Sequence, residues 1–263
     1  VGFETPFVVP KFQDEYGQGK KGQFQWVDGL GSGIYDDYDQ SWGPALDQGL
    51  LIDQFSGKAQ PWVSQKNNYR DFLQTGRVMT NSIALSGAND KGYFRASYTN
   101  FDQKGMIPNN DLKKNTVSIN SGVDVTDKFN VSSVITYVNE RSDNRSKVGY
   151  GNDNSGYDNP LNQFIWGGRN LDWNYLRDNY QLTNPDGTHT QTNWLGYYSN
   201  NPYWLVNKNT NSFKRDRYTG SVTLRYKLTS WLTAQGRVLN DFYSQQIKER
   251  TAIGTWGTVQ SLG

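Results

Sequence analysis

The sequence predicts an all-β protein, an antiparallel up-and-down transmembrane β-barrel of which this chain supplies about six or seven strands. Apolar and polar residues alternate over several segments of roughly 9–11 residues, the length with which a tilted strand crosses a bilayer. Only 35% of the residues are hydrophobic although 14% are aromatic. A polar lumen and aromatic girdles at two membrane interfaces produce this combination. Finally, short and long connections between the segments alternate along the chain.

Two segments, 115–126 and 218–228, carry the clearest alternation. Val117 and Ile119 fall on one face of the first, and Val222 and Leu224 fall on one face of the second. Further strands are predicted at about 79–87, 94–99, 129–138 and 232–242, where the period of two is also visible. The faces end in aromatic residues, as a girdle requires: Tyr98, Phe129, Tyr137, Tyr218 and Trp231.

The connections divide the chain into loops and strands of one predicted barrel domain. The links at 88–91, 127–128 and 229–230 are short and polar, whereas those at the other strand ends are long. We therefore expect a long loop at about 10–77, strands at about 79–139, a second long loop at about 140–217 and strands at about 218–247. Transmembrane barrels have this asymmetry, with short periplasmic turns and long extracellular loops. A secreted soluble sandwich also alternates, but sandwiches use Greek-key crossings more than plain hairpins.

Composition argues against several functional classes. The chain has no cysteine and one histidine, so disulfides, thiolate metal sites and most catalytic triads are excluded. Its 27 basic and 25 acidic residues are dispersed without a basic cluster, so no nucleic-acid partner is expected. The few glutamates stand in no recognisable acid/base context, and we predict that the chain is not an enzyme. The first residues lack the features of a signal peptide, and the chain is interpreted as a fragment of a larger protein.

Most of the tryptophans lie in the two long loops, outside the predicted spanning strands. Flat aromatic faces beside amide side chains suit stacking on sugar rings or docking of peptides. The alternative is that these side chains form small hydrophobic cores or pack against a partner protein. The candidates for contact with a ligand or a covering protein are Trp42, Trp62, Trp166, Trp173, Tyr175, Trp194, Tyr203 and Trp204.

Two sets of charged residues are also candidates. The polar strand faces would direct charges into a lumen, where they either are solvated and paired or guide a substrate: Arg95, Asp124, Arg225, Lys227, Arg237 and Asp241. Short acidic clusters offer the oxygen ligands that calcium prefers, at Asp36, Asp37, Asp39, Asp153 and Asp158. The second cluster lacks the flanking helices and closing glutamate of an EF-hand, so solvated turn residues are the favoured interpretation. No cofactor is predicted.

Several short motifs occur along nearly the whole chain: PKFQDEYGQG (10–19), SWGP (41–44), PWV (61–63), NYRDFLQTG (68–76), NDK (89–91), ASYTN (96–100), QKGMIPN (103–109), RSDNR (141–145) and FKRDR (213–217). In this order the motifs resemble those of the SusC/RagA family of TonB-dependent outer-membrane transporters of Bacteroidetes.

The resemblance implies the early part of a plugged barrel of about 22 strands, whose plug, TonB box and later strands have no counterpart in these residues. It implies nutrient uptake, namely TonB-dependent import of oligosaccharides or peptides, with a SusD-like surface lipoprotein as a lid on the loops and the TonB complex as a further partner. Outer-membrane lipid would surround the strands. A SusC-like barrel that acts as a scaffold in a larger outer-membrane assembly is the alternative. A secreted soluble β-sandwich, either a lectin or a glycosidase, is a remote third possibility.

Overall fold

The computed structural model describes residues 11–24, 40–147, 149, 158–195 and 199–257. The fold divides into two compact units. The loop unit consists of the described parts of Val1–Gln74, Ser146–Thr210 and Arg250–Gly263, and the sheet unit consists of Thr75–Arg145 and Asn211–Glu249. No helix in these described ranges is long and apolar enough to cross a membrane.

Short elements build the loop unit, and long strands build the sheet unit. In chain order the elements are β1 (Leu51–Ile52), β2 (Gln60–Pro61), α1 (Asn68–Phe72), β3 (Arg77–Asn89), β4 (Gly92–Lys104), β5 (Asp111–Asp124), β6 (Phe129–Ser142), α2 (Asn162–Trp166), α3 (Trp173–Asp178), β7 (Gln181–Thr183), β8 (His189–Gln191), α4 (Pro202–Lys208), β9 (Thr210–Lys227) and β10 (Thr233–Arg250).

One open sheet of six strands forms the sheet unit, in the order β10-β9-β6-β5-β4-β3. Each strand lies beside its neighbours in the chain, and β3 to β6 and β9 pair antiparallel. The architecture is therefore mostly antiparallel β, with the up-and-down hairpins that the sequence predicts. The barrel is not closed within the described residues, where β3 and β10 are the two edges.

The strands extend beyond the segments that alternation marks. Strand β9 begins at Thr210 and not at about 218, and β10 continues to Arg250. The predicted 102–114 link shrinks to the residues between Lys104 and Asp111. These extensions are mostly polar, with isolated apolar residues such as Phe101 and Phe213 and no regular alternation. Backbone pairing therefore continues where the apolar–polar contrast that reveals a strand has ended.

One face of the sheet is apolar and uncovered. The register places Ile83 opposite Tyr98, and Val117 opposite Tyr137. A soluble sandwich would bury this face beneath a second layer of the chain. Instead Val117, Ile119, Val222 and Leu224 are 41–45% exposed. The described residues thus supply no second layer for this face.

Aromatic side chains hold the loop unit together from within. The ring of Phe72 packs edge-on against Phe164 at 4.8 Å and against Tyr203 at 5.1 Å. The Phe164 ring contacts Trp173 at 4.8 Å, and Trp173 in turn lies 6.5 Å from Trp194. Edge-to-face contacts at these separations stabilise a core beyond the burial of apolar area. Segments far apart in the chain therefore share one hydrophobic core.

Side-chain caps begin two of the short helices of this unit. The Asp172 carboxylate accepts hydrogen bonds from the backbone N–H groups of Asn174 and Tyr175, at the start of α3. The Asn201 side chain accepts one from Tyr203, at the start of α4. Such caps satisfy N–H groups that have no partner within the helix.

Candidate ligand-binding surface of the loop unit

Five of the eight aromatic candidates are core residues. Trp62, Trp173, Trp194, Tyr203 and Trp204 are at most 3% exposed. Side chains buried to this degree have no surface to offer a ligand or a lid. For these five the burial favours the alternative of a small hydrophobic core, and contact with a ligand or a covering protein stays a prediction. The sequence could not separate the two roles, because tryptophan serves both.

Three aromatic candidates remain accessible. Trp42 is 63% exposed and Trp166 is 40% exposed, whereas Tyr175 is half-buried at the rim of a cleft. Their accessibility makes contact with a ligand or partner sterically feasible.

Trp42 belongs to an aromatic pair on the surface, with the Tyr16 ring 5.8 Å away and tilted by 42°. The backbone fixes its position, because Trp42 N–H donates to the Gly19 carbonyl and Gly22 N–H donates to the Trp42 carbonyl. The next residue, Gly43, lies so close to Gln18 that a Cβ there would stand 1.9 Å from the Gln18 carbonyl oxygen. The aromatic pair is therefore held on a tightly packed backbone.

A cleft of about 150 Å³ lies elsewhere in the loop unit. Its wall combines aromatic rings with amide side chains, and the rings of Phe55 and Tyr175 lie 5.4 Å apart. The lining residues are Gln54, Phe55, Ser56, Gln60, Pro61, Val63, Gln65, Asn170, Asp172 and Tyr175. Rings beside hydrogen-bonding amides suit a neutral polar ligand.

Hydrogen bonds fix the amides of this cleft. The buried Asn170 donates from Nδ2 to Gln54 Oε1 at 2.7 Å, and its Oδ1 accepts from Gln18 N–H at 2.8 Å. Among the described lining residues the only carboxylate is that of Asp172, whose Oδ1 caps α3. The cleft therefore offers preset amides and rings, and little charge.

A cationic side chain braces the segments beside the cleft. The Arg169 guanidinium lies 5.2 Å from the Phe12 ring centre and 5.1 Å from that of Tyr69, and its Nη1 donates to the Lys66 carbonyl. Tyr69 donates from its hydroxyl to the Gly167 carbonyl at 2.8 Å. Burial raises the pKa of Tyr69 to about 12, so the hydroxyl keeps its proton at physiological pH.

Asp158 is the one calcium candidate within the described residues, and its surroundings do not suit a calcium ion. The Asp158 carboxylate is buried, pairs with Lys147 Nζ at 2.8 Å and accepts from Asn209 Nδ2 at 2.9 Å. Its two oxygens thus already have partners, and the ammonium group disfavours a cation. No group of three or more histidine, cysteine or acidic residues converges in the ranges that the structure describes. The other calcium candidates, Asp36, Asp37, Asp39 and Asp153, lie outside those ranges.

The six predicted lumen charges lie in the sheet unit, and local partners engage four of them. Arg225 Nε donates to Gln235 at 2.9 Å, and Arg237 Nε donates to Thr223 at 3.0 Å. Asp241 accepts from Arg217 Nε at 2.9 Å. Asp124 accepts from Asn130 at 2.8 Å, while Arg95 stands opposite Ser86 and Asn120, and Lys227 ends β9. These contacts are consistent with a structural role on the polar face, and a role in guiding substrate stays a prediction.

The cleft residues other than Tyr175 have no distinctive signal in the sequence. Phe55 is one aromatic residue in an irregular segment, and Gln54 and Asn170 resemble many solvated amides. Their importance follows from contacts between segments more than one hundred residues apart, which a single sequence does not reveal.

Comparison with known proteins gives one distant similarity, and no family model matches the chain. The chain is similar to the TonB-dependent receptor P3 of Formosa agariphila, with 25% identity over 162 residues. The match covers 62% of this chain and 15% of the relative, so the chain spans a small part of that protein's length. At this level the match relates the chain to TonB-dependent receptors in general.

Proposed function

We propose that this chain is part of the barrel of a TonB-dependent outer-membrane receptor of the SusC/RagA type. The receptor imports oligosaccharides or peptides together with a SusD-like surface lipoprotein, and the TonB complex supplies its energy. The family motifs and the distant TonB-dependent relative support this proposal. An enzymatic activity is not part of it.

The uncovered apolar face of the sheet carries the proposal. Tyr218 and Leu228 mark its two limits on β9 and the adjoining turn. Ten residues at about 3.3 Å each give about 33 Å along the strand, which a tilt of about 40° reduces to about 25 Å. This height equals that of the apolar band of outer-membrane barrels, about 25 Å. Exposure of this apolar face to water would be unfavourable in free energy, whereas lipid tails would cover it.

Tyrosines end the apolar face where a polar layer begins. Tyr98 donates from its hydroxyl to Asn115 Oδ1 at 2.7 Å, and Tyr137 donates to Asp216 Oδ1 at 2.6 Å. Both acceptors lie on the same face, one step further from the apolar residues. Rings in an apolar layer with hydroxyls in a polar layer are typical of side chains at a membrane interface.

The open sheet edges support further strands. In a bilayer every backbone N–H and C=O group must find a partner within the protein. The outer sides of β3 and β10 have none among the described strands. We therefore propose that additional strands of the full-length protein close a large barrel, with the plug inside and these loops outside the cell.

The cleft chemistry supports a neutral polar cargo. Phe55 and Tyr175 supply rings for sugar or side-chain stacking, and Gln54 and Asn170 supply amides. The test is uptake by cells that carry the full-length protein, with and without an intact TonB system. Uptake of an oligosaccharide or peptide should require TonB, and Phe55→Ala with Tyr175→Ala should lower it severalfold. Leu182→Ala, an exposed apolar residue of the same unit outside the cleft lining, serves as the control.

The membrane part of the proposal has its own test. The full-length protein should migrate differently on a denaturing gel before and after boiling, as folded outer-membrane barrels do. Identical migration together with recovery in the soluble fraction would favour the soluble sandwich and refute the barrel.

The scaffold alternative has an observation of its own, the exposed pair of Trp42 and Tyr16. Exposed aromatic residues are enriched where proteins bind one another. Purification of the full-length protein from membranes separates the two functions. A SusD-like lipoprotein as the partner supports import, and a stable assembly of other subunits supports the scaffold.

A further inference from the structure

Three cations stand in a row on the face of the sheet that carries the apolar band. Arg141 on β6 lies directly opposite Lys113 on β5 and directly opposite Lys214 on β9. The same face continues through Asn139 to Tyr137, so the row lies beyond the tyrosines and the polar layer. All three side chains are exposed.

This row is unfavourable within the protein alone. Side chains directly opposite each other on adjacent strands have Cβ atoms about 4.5–5.5 Å apart, and like charges at this distance destabilise a sheet. Asp102 faces Lys113, and Asp216 lies one step below Lys214. Asp216 attracts Arg141 and Lys214 electrostatically. Nevertheless, none of the three cations forms an ion pair within 4.0 Å in the described ranges, and Asp216 Oδ1 accepts hydrogen bonds from Tyr137 and Asn139.

Two cations on the opposite face of the sheet, at the same height along the strands, provide a comparison. Lys114 and Arg215 are the sequence neighbours of two row members, and both stand opposite Glu140. Lys114 also lies over the Phe101 ring, and Arg215 lies over the Tyr243 ring. Both of these cations thus lie beside an aromatic ring of the protein, whereas Lys113, Arg141 and Lys214 have no such ring contact in the part of the chain that the structure describes.

We propose that Lys113, Arg141 and Lys214 form a binding site for the phosphate groups of membrane lipids, at the outer rim of the apolar band. The inference rests on the proposed membrane insertion and adds a specific partner to it. Arg141 lies four positions after Tyr137, which is about 13 Å along the strand and about 10 Å along the membrane normal at a tilt of about 40°. A cation at that height stands at the level of the lipid headgroups. Arginine and lysine both bind phosphate, arginine with two parallel hydrogen bonds.

On β6 the charged residue of this face lies at one end of the apolar band. Between Tyr137 and Phe129 the same face of β6 carries only Ile135, Ser133 and Val131, and no charge. The row lies at the strand ends from which the long connections leave. In the proposed barrel, these cations would therefore meet the lipids of one leaflet only. The lipid favoured there carries phosphate on its headgroup.

The test uses the full-length protein in nanodiscs of phosphatidylcholine that contain a minority of diphosphoryl lipid A. After extraction with mild detergent, the retained lipid is counted by native mass spectrometry. The unmodified protein should retain lipid A in preference to phosphatidylcholine. The double variant Arg141→Gln with Lys214→Gln should lower this preference by about 30-fold, since each cation near an anionic membrane surface contributes about fivefold.

A matched control is available on the other face of the same strands. Lys114→Gln with Arg215→Gln removes the same two residue types and should leave lipid A retention unchanged. Equal retention by both double variants would overturn the proposal. Displacement of lipid A by inorganic phosphate at millimolar concentration would assign the row to free anions and would also overturn it.

Failure of the membrane proposal remains distinguishable from failure of this one. If the protein does not enter nanodiscs and does not show heat-dependent migration, the proposed function fails first. Normal insertion without preference for the phosphorylated lipid refutes the lipid site alone.

Discussion

Ile119→Arg tests whether lipid or water covers the apolar face. Ile119 lies opposite Ala96 on β4 and opposite Ile135 on β6, well inside the apolar band. Arginine at the midplane of a barrel costs about 2–4 kcal/mol in a bilayer. The same substitution on a water-exposed surface changes stability by about 0.5 kcal/mol or less. The two environments therefore predict effects that differ severalfold.

The assay is reversible unfolding of the full-length protein by denaturant in the presence of lipid vesicles, followed by the fraction that migrates as folded on an unboiled gel. We expect Ile119→Arg to lower the free energy of unfolding by about 3 kcal/mol, near the middle of the midplane range. The matched control is Thr116→Arg, on the opposite face of the same strand, where Thr99 and Val138 are its neighbours. It should cost less than about 1 kcal/mol, as for a surface in contact with water.

Two results would refute the reasoning. If Ile119→Arg and Thr116→Arg cost the same within about 0.5 kcal/mol, the two faces share one solvent. If Ile119→Arg abolishes folding of a protein that is soluble without lipid, the face is a protein core. Either outcome removes the barrel from the proposal.

Three further predictions concern the loop unit and are measured on the full-length protein. Gly43→Ala should destabilise the fold around the Gln18 carbonyl and increase proteolysis there, whereas Gly236→Ala, where a Cβ would meet nothing, should not. Asp172→Ala should remove the cap of α3 and cost about 1 kcal/mol in thermal unfolding, and Asp172→Asn should restore most of the loss. Because burial raises the pKa of Tyr69 from 10.0 to about 12, its contribution to stability is complete below pH 10 and is lost as the pH rises towards 12. Tyr69→Phe should flatten this alkaline loss in a denaturation series, and an unchanged slope would contradict the assignment.

The sequence predicts the sheet better than it predicts the loops, and the reason is physical. Side chains of a strand alternate between its two faces, so the spacing of Val117 and Ile119 by two residues is enough to predict that they share one face. Backbone pairing does not depend on that contrast. Strand β9 therefore starts at Thr210, eight residues before the predicted boundary, and Phe213 is the one apolar residue of that extension.

The loop aromatics show what composition leaves open. Trp62 and Trp42 stand in similar surroundings in the sequence, yet Trp62 is buried and Trp42 is exposed. The difference arises from distant contacts, such as the hydrogen bond from Trp62 Nε1 to the Pro44 carbonyl. No local pattern encodes such a contact. The sequence therefore identifies the aromatic candidates but does not separate buried from exposed ones.

The two units of this chain treat apolar side chains in opposite ways, and this contrast is the strongest argument for two different solvents. In the loop unit Trp173 and Leu176 are almost completely removed from the surface, as side chains are in a protein surrounded by water. In the sheet unit Ile83 and Val238 are at least 70% exposed. If water surrounded both units, burial of apolar side chains would stabilise the loop unit, while the sheet unit would leave similar side chains exposed without that stabilisation. The proposed lipid environment of the sheet would remove the contradiction, because hydrocarbon chains would cover Ile83 and Val238 as effectively as a protein core covers Trp173.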